Sequence, residues 1–404
     1  MSLTEMSVAL KFDRDVLPVG RLAYLDHQIY FEYDAGFLKS QLPLSPFKLP
    51  LRPGVTSFDR TVFEGLPGVF DDSLPDGWGR LLFDRFMRLK GVLSETLTPL
   101  DRLAHVGSNG MGALIYKPEL FDNTPAHQTL DELSSHATCI LNGLPDEVLP
   151  TLLALNGSSA GARPKVMVGV DSEKKKIDCR RNEKLEQWLV KFPNTQDGSD
   201  AGAIEYVYSQ IAKHAGVIMM ETHLFSSEKN AGYFGTKRFD RDYEKRFHVH
   251  TAAGLLHTDF RKSTLDYSDL FALTEMLTKN REEVEKLFRQ AIFNVLSHNR
   301  DDHLKNFSFI MNTQGEWHLS PAYDATFSSG PQGEQTTTVL GKVKDISISD
   351  LLLLGKEAKL SDKSTRAIIE QTKNALQQWP TLAENHGVAK ENIQRIWRGI
   401  KRLA

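Results

Sequence analysis

Cysteine is nearly absent from this chain of 404 residues: Cys139 and Cys179 stand too far apart in sequence for a disulfide framework or a zinc-ribbon spacing. So little cysteine fits a reducing cytoplasm. No run approaches the roughly eighteen apolar residues that span a bilayer, and the N-terminus lacks the basic-then-apolar pattern of a secretion signal. A soluble cytoplasmic protein that engages no membrane is therefore expected. A formal net charge of −3 gives no general attraction to nucleic acid, so any such binding requires a local patch. Repeats and low-complexity tracts are missing, as is the G-x-x-x-x-G-K-[ST] pattern of a P-loop.

The length favours two or three domains. From Val8 to about Tyr33, short apolar runs broken by turn residues such as Asp26-His27 predict a β-meander. Leu74-Pro75-Asp76-Gly77-Trp78-Gly79-Arg80 then leads into a helical run from Leu81 to Phe86. Lys117 to Gln128 has no periodicity and reads as a linker, which places a boundary near Phe121. The expected organisation is an N-terminal α+β module over 1–120, a sheet-rich lobe with a glycine loop over 121–240, and a helical lobe over 241–404. Within these, helices are expected over Leu130–Leu141 and Asp146–Leu155, and strands over Val166–Val170 and Glu186–Phe192. Ile204, Val207, Tyr208, Ile211, Ala212 and Ala215 recur at helical spacing, as do Val284, Leu287, Phe288, Ala291, Ile292, Val295 and Leu296.

That last stripe delivers the string His298-Asn299-Arg300-Asp301-Asp302-His303-Leu304-Lys305-Asn306-Phe307, with Asn306 five positions after Asp301. The spacing is that of a phosphotransferase catalytic loop, where a carboxylate takes the proton of an attacking hydroxyl and an amide oxygen holds Mg²⁺. Asp301 is the expected base and Asn306 the expected metal ligand. Asp302 is the alternative base, without the five-residue spacing. His303 is expected to brace the loop by hydrogen bonds, and Lys305 to neutralise the transferring phosphoryl group. Asp324, in Leu319-Ser320-Pro321-Ala322-Tyr323-Asp324, supplies a second metal ligand.

Upstream, Gly157, Ser158, Ser159, Ala160 and Gly161 form a small-residue loop that lets backbone N–H groups approach phosphates, with Arg163 and Lys165 adding positive charge. Lys191 lies in a strand between apolar neighbours, where a cation requires a partner. Glu205, one turn into the next helix, is the expected partner. Glycine loop, strand lysine, helical acid, catalytic loop and metal-binding Asp follow the chain order of a bilobal kinase. His248-x-His250 and His257-x-Asp259 lack matching third and fourth ligands for zinc.

With these residues the chain resembles the HipA-like serine/threonine kinases, toxins of bacterial toxin–antitoxin pairs. Leu74 to Arg80 and Val106-Gly107-Ser108-Asn109-Gly110-Met111-Gly112-Ala113-Leu114 are similar to that family's N-terminal module; Ser158 to Lys165, Asn299 to Phe307 and Ser320 to Asp324 are similar to its kinase core. The resemblance implies an α+β, two-lobed protein-kinase-like fold with an N-terminal α+β subdomain and a mainly helical C-terminal lobe, using ATP and Mg²⁺ between the lobes. By resemblance Lys191 contacts ATP phosphates, Asn306 and Asp324 hold Mg²⁺, and Lys237 and Phe239, in Lys-Arg-Phe-Asp-Arg from 237 to 241, belong to the nucleotide-side stretch after the hinge. Ser158 matches the serine whose autophosphorylation ejects the loop, with Ser159 the rival acceptor. Family targets include aminoacyl-tRNA synthetases, and the usual partner is a small helix-turn-helix antitoxin of HipB type, through which DNA is bound only indirectly. Where well-known members carry Gln-Glu, this chain has Arg163-Pro164. Two other readings are a metal-dependent phosphohydrolase using Asp301, Asp302, His303 and Asp324, and a catalytically silent antitoxin- or DNA-binding regulator.

Overall fold

The structure is a computed structural model, and it describes residues 3–120, 128–144, 147–158, 161–180, 182, 184–261 and 265–401. The expected boundary at Phe121, the start of a helix at Asp146, and the site residues Ser159 and Ala160 lie outside the described residues. Two compact units interleave along the chain. The first comprises Met1–Gln196, Lys237–Asp259 and Ile310–Glu316; the second comprises Asp197–Thr236, Phe260–Phe309 and Trp317–Ala404.

The first unit opens with the expected meander: β1 (Glu5–Lys11), β2 (Val16–Leu25) and β3 (Gln28–Tyr33), joined by β4 (Val55–Ser57) and β5 (Leu114–Lys117) in the order β4-β3-β2-β1-β5. Asp26 and His27, both at positive φ (50° and 61°), make the tight two-residue connection whose twist matches the paired strands. Met6, Val8 and Leu10 alternate inward and pack with Phe31, Phe37, Phe70, Leu100, Leu103 and Tyr116 into one core. The helix Pro99–Val106 that supplies Leu100 and Leu103 starts at a capping box, Thr98 with Asp101, and carries Pro at its first position.

A second antiparallel set follows in the same unit. β6 (Lys165–Val170) lies between β7 (Ile177–Asp178) and β8 (Glu186–Lys191), with Lys165 opposite Lys191 and Val170 opposite Glu186. Helices Leu130–Leu141 and Leu149–Asn156 precede it, and the second ends where the glycine loop begins.

The second unit is mainly helical. It contains helices Ala201–His214, Tyr267–Thr278, Arg281–Leu296, Ile348–Glu357, Asp362–Leu376 and Lys390–Ile400, together with a hairpin pairing Phe225 with Tyr233. Arg281–Leu296 is capped by Asn280, carries Glu282 and Glu283 in its first turn, and buries Leu287, Phe288, Ala291, Ile292, Val295 and Leu296. Among the described residues no helix is long and apolar enough to cross a membrane.

Candidate active site

The loop after Arg281–Leu296 leaves the helix through His298 in a left-handed conformation (φ 58°), which turns the chain sharply. Its anchor is Asp302. That carboxylate is 1 % exposed and accepts four hydrogen bonds: Tyr267 Oη at 2.5 Å, Gln335 Nε2 at 2.7 Å, and the Thr336 and Thr337 amides at 3.1 Å each. Gln335 also donates to Asn299 O, and Thr336 Oγ1 donates to Arg300 O, so 335–337 holds the loop at Asn299, Arg300 and Asp302. Burial pushes the Asp302 carboxyl up to about 6 against the lowering pull of these donors. Asp301, by contrast, is exposed. The two neighbouring carboxylates are thus sorted: Asp302 fixes the backbone, and Asp301 is presented to solvent.

Asn306 sits in the short 3₁₀ turn Leu304–Asn306, where its Nδ2 donates to Asp301 O at 2.7 Å. That bond turns the Asp301-to-Asn306 spacing into one closed loop, made by the amide nitrogen and not the amide oxygen. Lys305 is buried, its ammonium 5.5 Å from the Phe260 ring centroid. His303 packs at a tilt on the same ring at 4.6 Å, and its Nδ1 is buried without a hydrogen-bond partner, so its observed contact is packing and not the expected hydrogen bond from that nitrogen. Tyr323 donates its hydroxyl to Lys305 O at 2.6 Å and contacts Ser308 Oγ at 2.5 Å, which ties the turn bearing Asp324 to the residue before Asn306. Ser320 N donates to Ser308 O and Ala322 N to Ile218 O, holding that segment on both sides. Asp324 itself has φ 53°, a conformation uncommon for a residue with a side chain and concentrated at functional turns. Glu205 belongs to this second unit, buried in Ala201–His214.

In the first unit, Gly157 turns the chain out of helix Leu149–Asn156 with φ 55° and ψ −130°, and a Cβ there would stand 2.8 Å from Asn109 O. Only glycine fits. Ser158 is buried, and its Oγ accepts the Met111 N–H at 2.7 Å. Lys165 is buried on β6 and reaches back over the loop, so that a Cβ on Gly161 would lie 2.5 Å from its Nζ. Lys191 is its direct cross-strand neighbour. Directly opposed residues of an antiparallel pair share one face of the sheet, so Lys165 and Lys191 lie on the same face.

Lys237 pairs with Glu186 at 2.7 Å, and Phe239 is half-buried. The rest of that stretch has a role sequence reasoning missed. Asp240, fully buried, lies between Arg238 (2.8 Å) and Arg241 (2.6 Å) and accepts the Gly112 amide at 2.7 Å; both arginines also donate to Gly110 O. Burial would raise its carboxyl, but the two guanidiniums hold it far below the usual carboxylate range. The alternation Arg-Phe-Asp-Arg was the available signal. Tyr323 and Gln335 carried none, because their partners are set by tertiary contact.

His248 and His250 make structural bonds: His248 Nε2 donates to Leu44 O, and His250 bridges Ser45 Oγ (2.9 Å) and Asp72 (2.6 Å). Among the described residues no three His, Cys, Asp or Glu side chains converge as a metal cluster.

Two family models match the chain: HipA N-terminal domain over residues 14–117 and HipA-like C-terminal domain over 157–379. A solved structure described as the Shewanella oneidensis MR-1 toxin–antitoxin system HipA, HipB and its operator DNA complex superposes with a TM-score of 0.67, at 16 % identity, covering 99 % of this chain and 95 % of that one. A kinase from Helicobacter pylori, the proinflammatory CtkA, aligns with a TM-score of 0.35 at 15 % identity, over 54 % of this chain and 90 % of its own. A curated relative from Sinorhizobium fredii (strain NBRC 101917 / NGR234), named "Putative kinase Y4dM", is 28 % identical over 195 residues, 44 % of this chain. The chain spans about half the length of that relative, 47 %.

Proposed function

The chain belongs to the HipA family, and from that premise we propose that it is an ATP- and Mg²⁺-dependent protein serine/threonine kinase, the toxin of a toxin–antitoxin pair. Asp301 is the base for the acceptor hydroxyl. Its exposure suits a group that must meet an incoming protein, whereas Asp302 is enclosed by four donors. The observation that carries the reading is the Tyr323 hydroxyl on Lys305 O, which ties the Asp324 turn to the loop bearing Asp301 and Asn306.

An amide oxygen on Asn306 and a carboxylate on Asp324 are hard oxygen donors, the pair that suits Mg²⁺, which keeps its remaining positions for water and phosphate. When bound, the ion neutralises phosphate charge. The chain's own residues do the rest: Lys165 and Lys191 attract the nucleotide phosphates, Lys305 offsets charge on the group in transfer, and Asp301 orients the hydroxyl and accepts its proton. Glu205 is assigned to the ATP-binding set, as are the loop residues Gly157 to Gly161. Ser158 is the proposed self-phosphorylation site: a phosphoserine adds roughly −1.5 to −2 charge to a loop meant for phosphates. A phosphohydrolase built on Asp301, Asp302, His303 and Asp324 fits less well, since Asp302 is walled into the fold.

The test is transfer of labelled phosphate from Mg·ATP to protein. Asp301→Ala is expected to fold normally and lose at least about a hundredfold of the transfer, within the contribution of a positioned base; wild-type labelling by this variant rejects the assignment. A small helix-turn-helix protein of HipB type is the proposed partner, and an aminoacyl-tRNA synthetase a proposed target. Phosphoproteomics of cells making the chain, set against cells making Asp301→Ala, identifies the target.

A further inference from the structure

Asp76 occupies the N-cap of helix Gly77–Leu89, yet its side chain makes no capping bond to that helix. A carboxylate at this position ordinarily accepts an N–H of the first turn. Here Asp76 Oδ1 instead accepts the amide of Gly161, and the helix amide of Trp78 donates to Gly161 O at 3.1 Å. Residues 76 and 78 therefore grip both polar groups of one glycine. Gly77 makes the approach possible: it has φ 44°, and a Cβ on it would stand 2.7 Å from Gly161 O.

The other end of the loop is held in the same manner from a second turn. Met111 N–H bonds Ser158 Oγ, and Gly110 faces it so closely that a Cβ there would lie 3.2 Å from that oxygen. That turn is in turn fixed by Asp240 on Gly112 N, by Arg241 on the carbonyls of Gly110 and Gly112, and by Arg246 on Ser108 O.

We propose that the N-terminal module is the clamp of the glycine loop, with Asp76 as a positioning residue at Gly161 and the Gly107–Gly112 turn as the cover of Ser158. Ser158 and Gly161 are held before any nucleotide arrives, and the Ser158 hydroxyl is closed to phosphorylation until the module lets go. The regulatory half of this inference rests on the kinase reading; the clamp itself does not.

The experiment is amide hydrogen exchange over 157–165 in the full-length protein without nucleotide, followed by mass spectrometry of Ser158 after addition of Mg·ATP. Asp76→Ala is expected to raise the exchange rate about tenfold or more, the size of a lost bond to a charged group. Asp76→Asn, which keeps an oxygen acceptor, is expected to restore most of the protection. Gly110→Ala, which crowds Ser158 from the other turn, is the second variant and is expected to loosen the loop in the same direction. Unchanged exchange in both folded variants overturns the clamp, whatever the protein catalyses. Faster exchange with earlier phosphate on Ser158 supports both halves. Faster exchange with phosphate never found on Ser158 retains the clamp and rejects the Ser158 self-phosphorylation reading.

Discussion

Adjacent aspartates with opposite fates mark the loop after helix Arg281–Leu296. Asp301 and Asp302 are chemically identical and differ only in where the backbone aims them, one outward and one into four donors. Burial raises the Asp302 carboxyl to about 6, so the folded chain holds that proton more tightly than the unfolded chain does. The corresponding stability is fully present below the unfolded value near 3.8 and is lost as pH rises through about 6. Replacing Asp302 by Asn removes this dependence. The wild-type advantage over Asp302→Asn, measured by urea unfolding, is expected to be larger at pH 4.5 than at pH 8, by on the order of 2–3 kcal/mol. An advantage that grows with pH instead would mean the four donors outweigh burial.

Elements act here by handing a residue to the next one along. The helix Arg281–Leu296 was legible because its apolar stripe repeats at 3.6 residues, and its first turn also serves the site: Glu283 accepts the Leu319 amide at 3.0 Å, fixing the strand before Asp324. Tyr323 completes the hold by bridging Lys305 O and Ser308 Oγ. Tyr323→Phe keeps the ring and removes one hydroxyl. It is expected to cost about 1 kcal/mol of stability, read by thermal unfolding. Phosphoryl transfer is expected to fall about tenfold or more, with a higher Mg²⁺ concentration for half-maximal rate, since misplacing a positioned group by even 1 Å costs up to about a hundredfold. A stability loss with an unchanged Mg²⁺ requirement would make Tyr323 merely structural. Strands and helices of the first unit were equally readable. Helix Leu130–Leu141 runs as the spacing predicts, because local periodicity and its capping box agree.

At the scale of the whole molecule, the two units exchange chain repeatedly, so neither is a contiguous piece of sequence. Arg238, Asp240 and Arg241 belong to the first unit although they follow forty residues of the second, and they satisfy the carbonyls of Gly110 and Gly112 and the Gly112 amide. A fragment ending at residue 196 would leave those groups without partners in a packed interior, at about 1–3 kcal/mol for each. Fragment 1–196 is therefore expected to lack a cooperative melt by circular dichroism, and the fragment extended to residue 259 to regain one. A sharp transition in the shorter piece would show that the arginine–aspartate cluster is dispensable to the fold.

The sequence by itself determined the elements and picked out the proposed reactive groups, because periodicity, caps and the five-residue interval from Asp301 to Asn306 are local properties written in neighbouring residues. Only the tertiary structure decided which aspartate is buried, that Tyr323 joins two loops, and that Asp76 and Met111 grip opposite ends of the glycine loop. Those bonds link residues 18 to 85 positions apart, and a hydrogen bond leaves no mark in sequence until folding has brought its donor and acceptor within about 3 Å of each other.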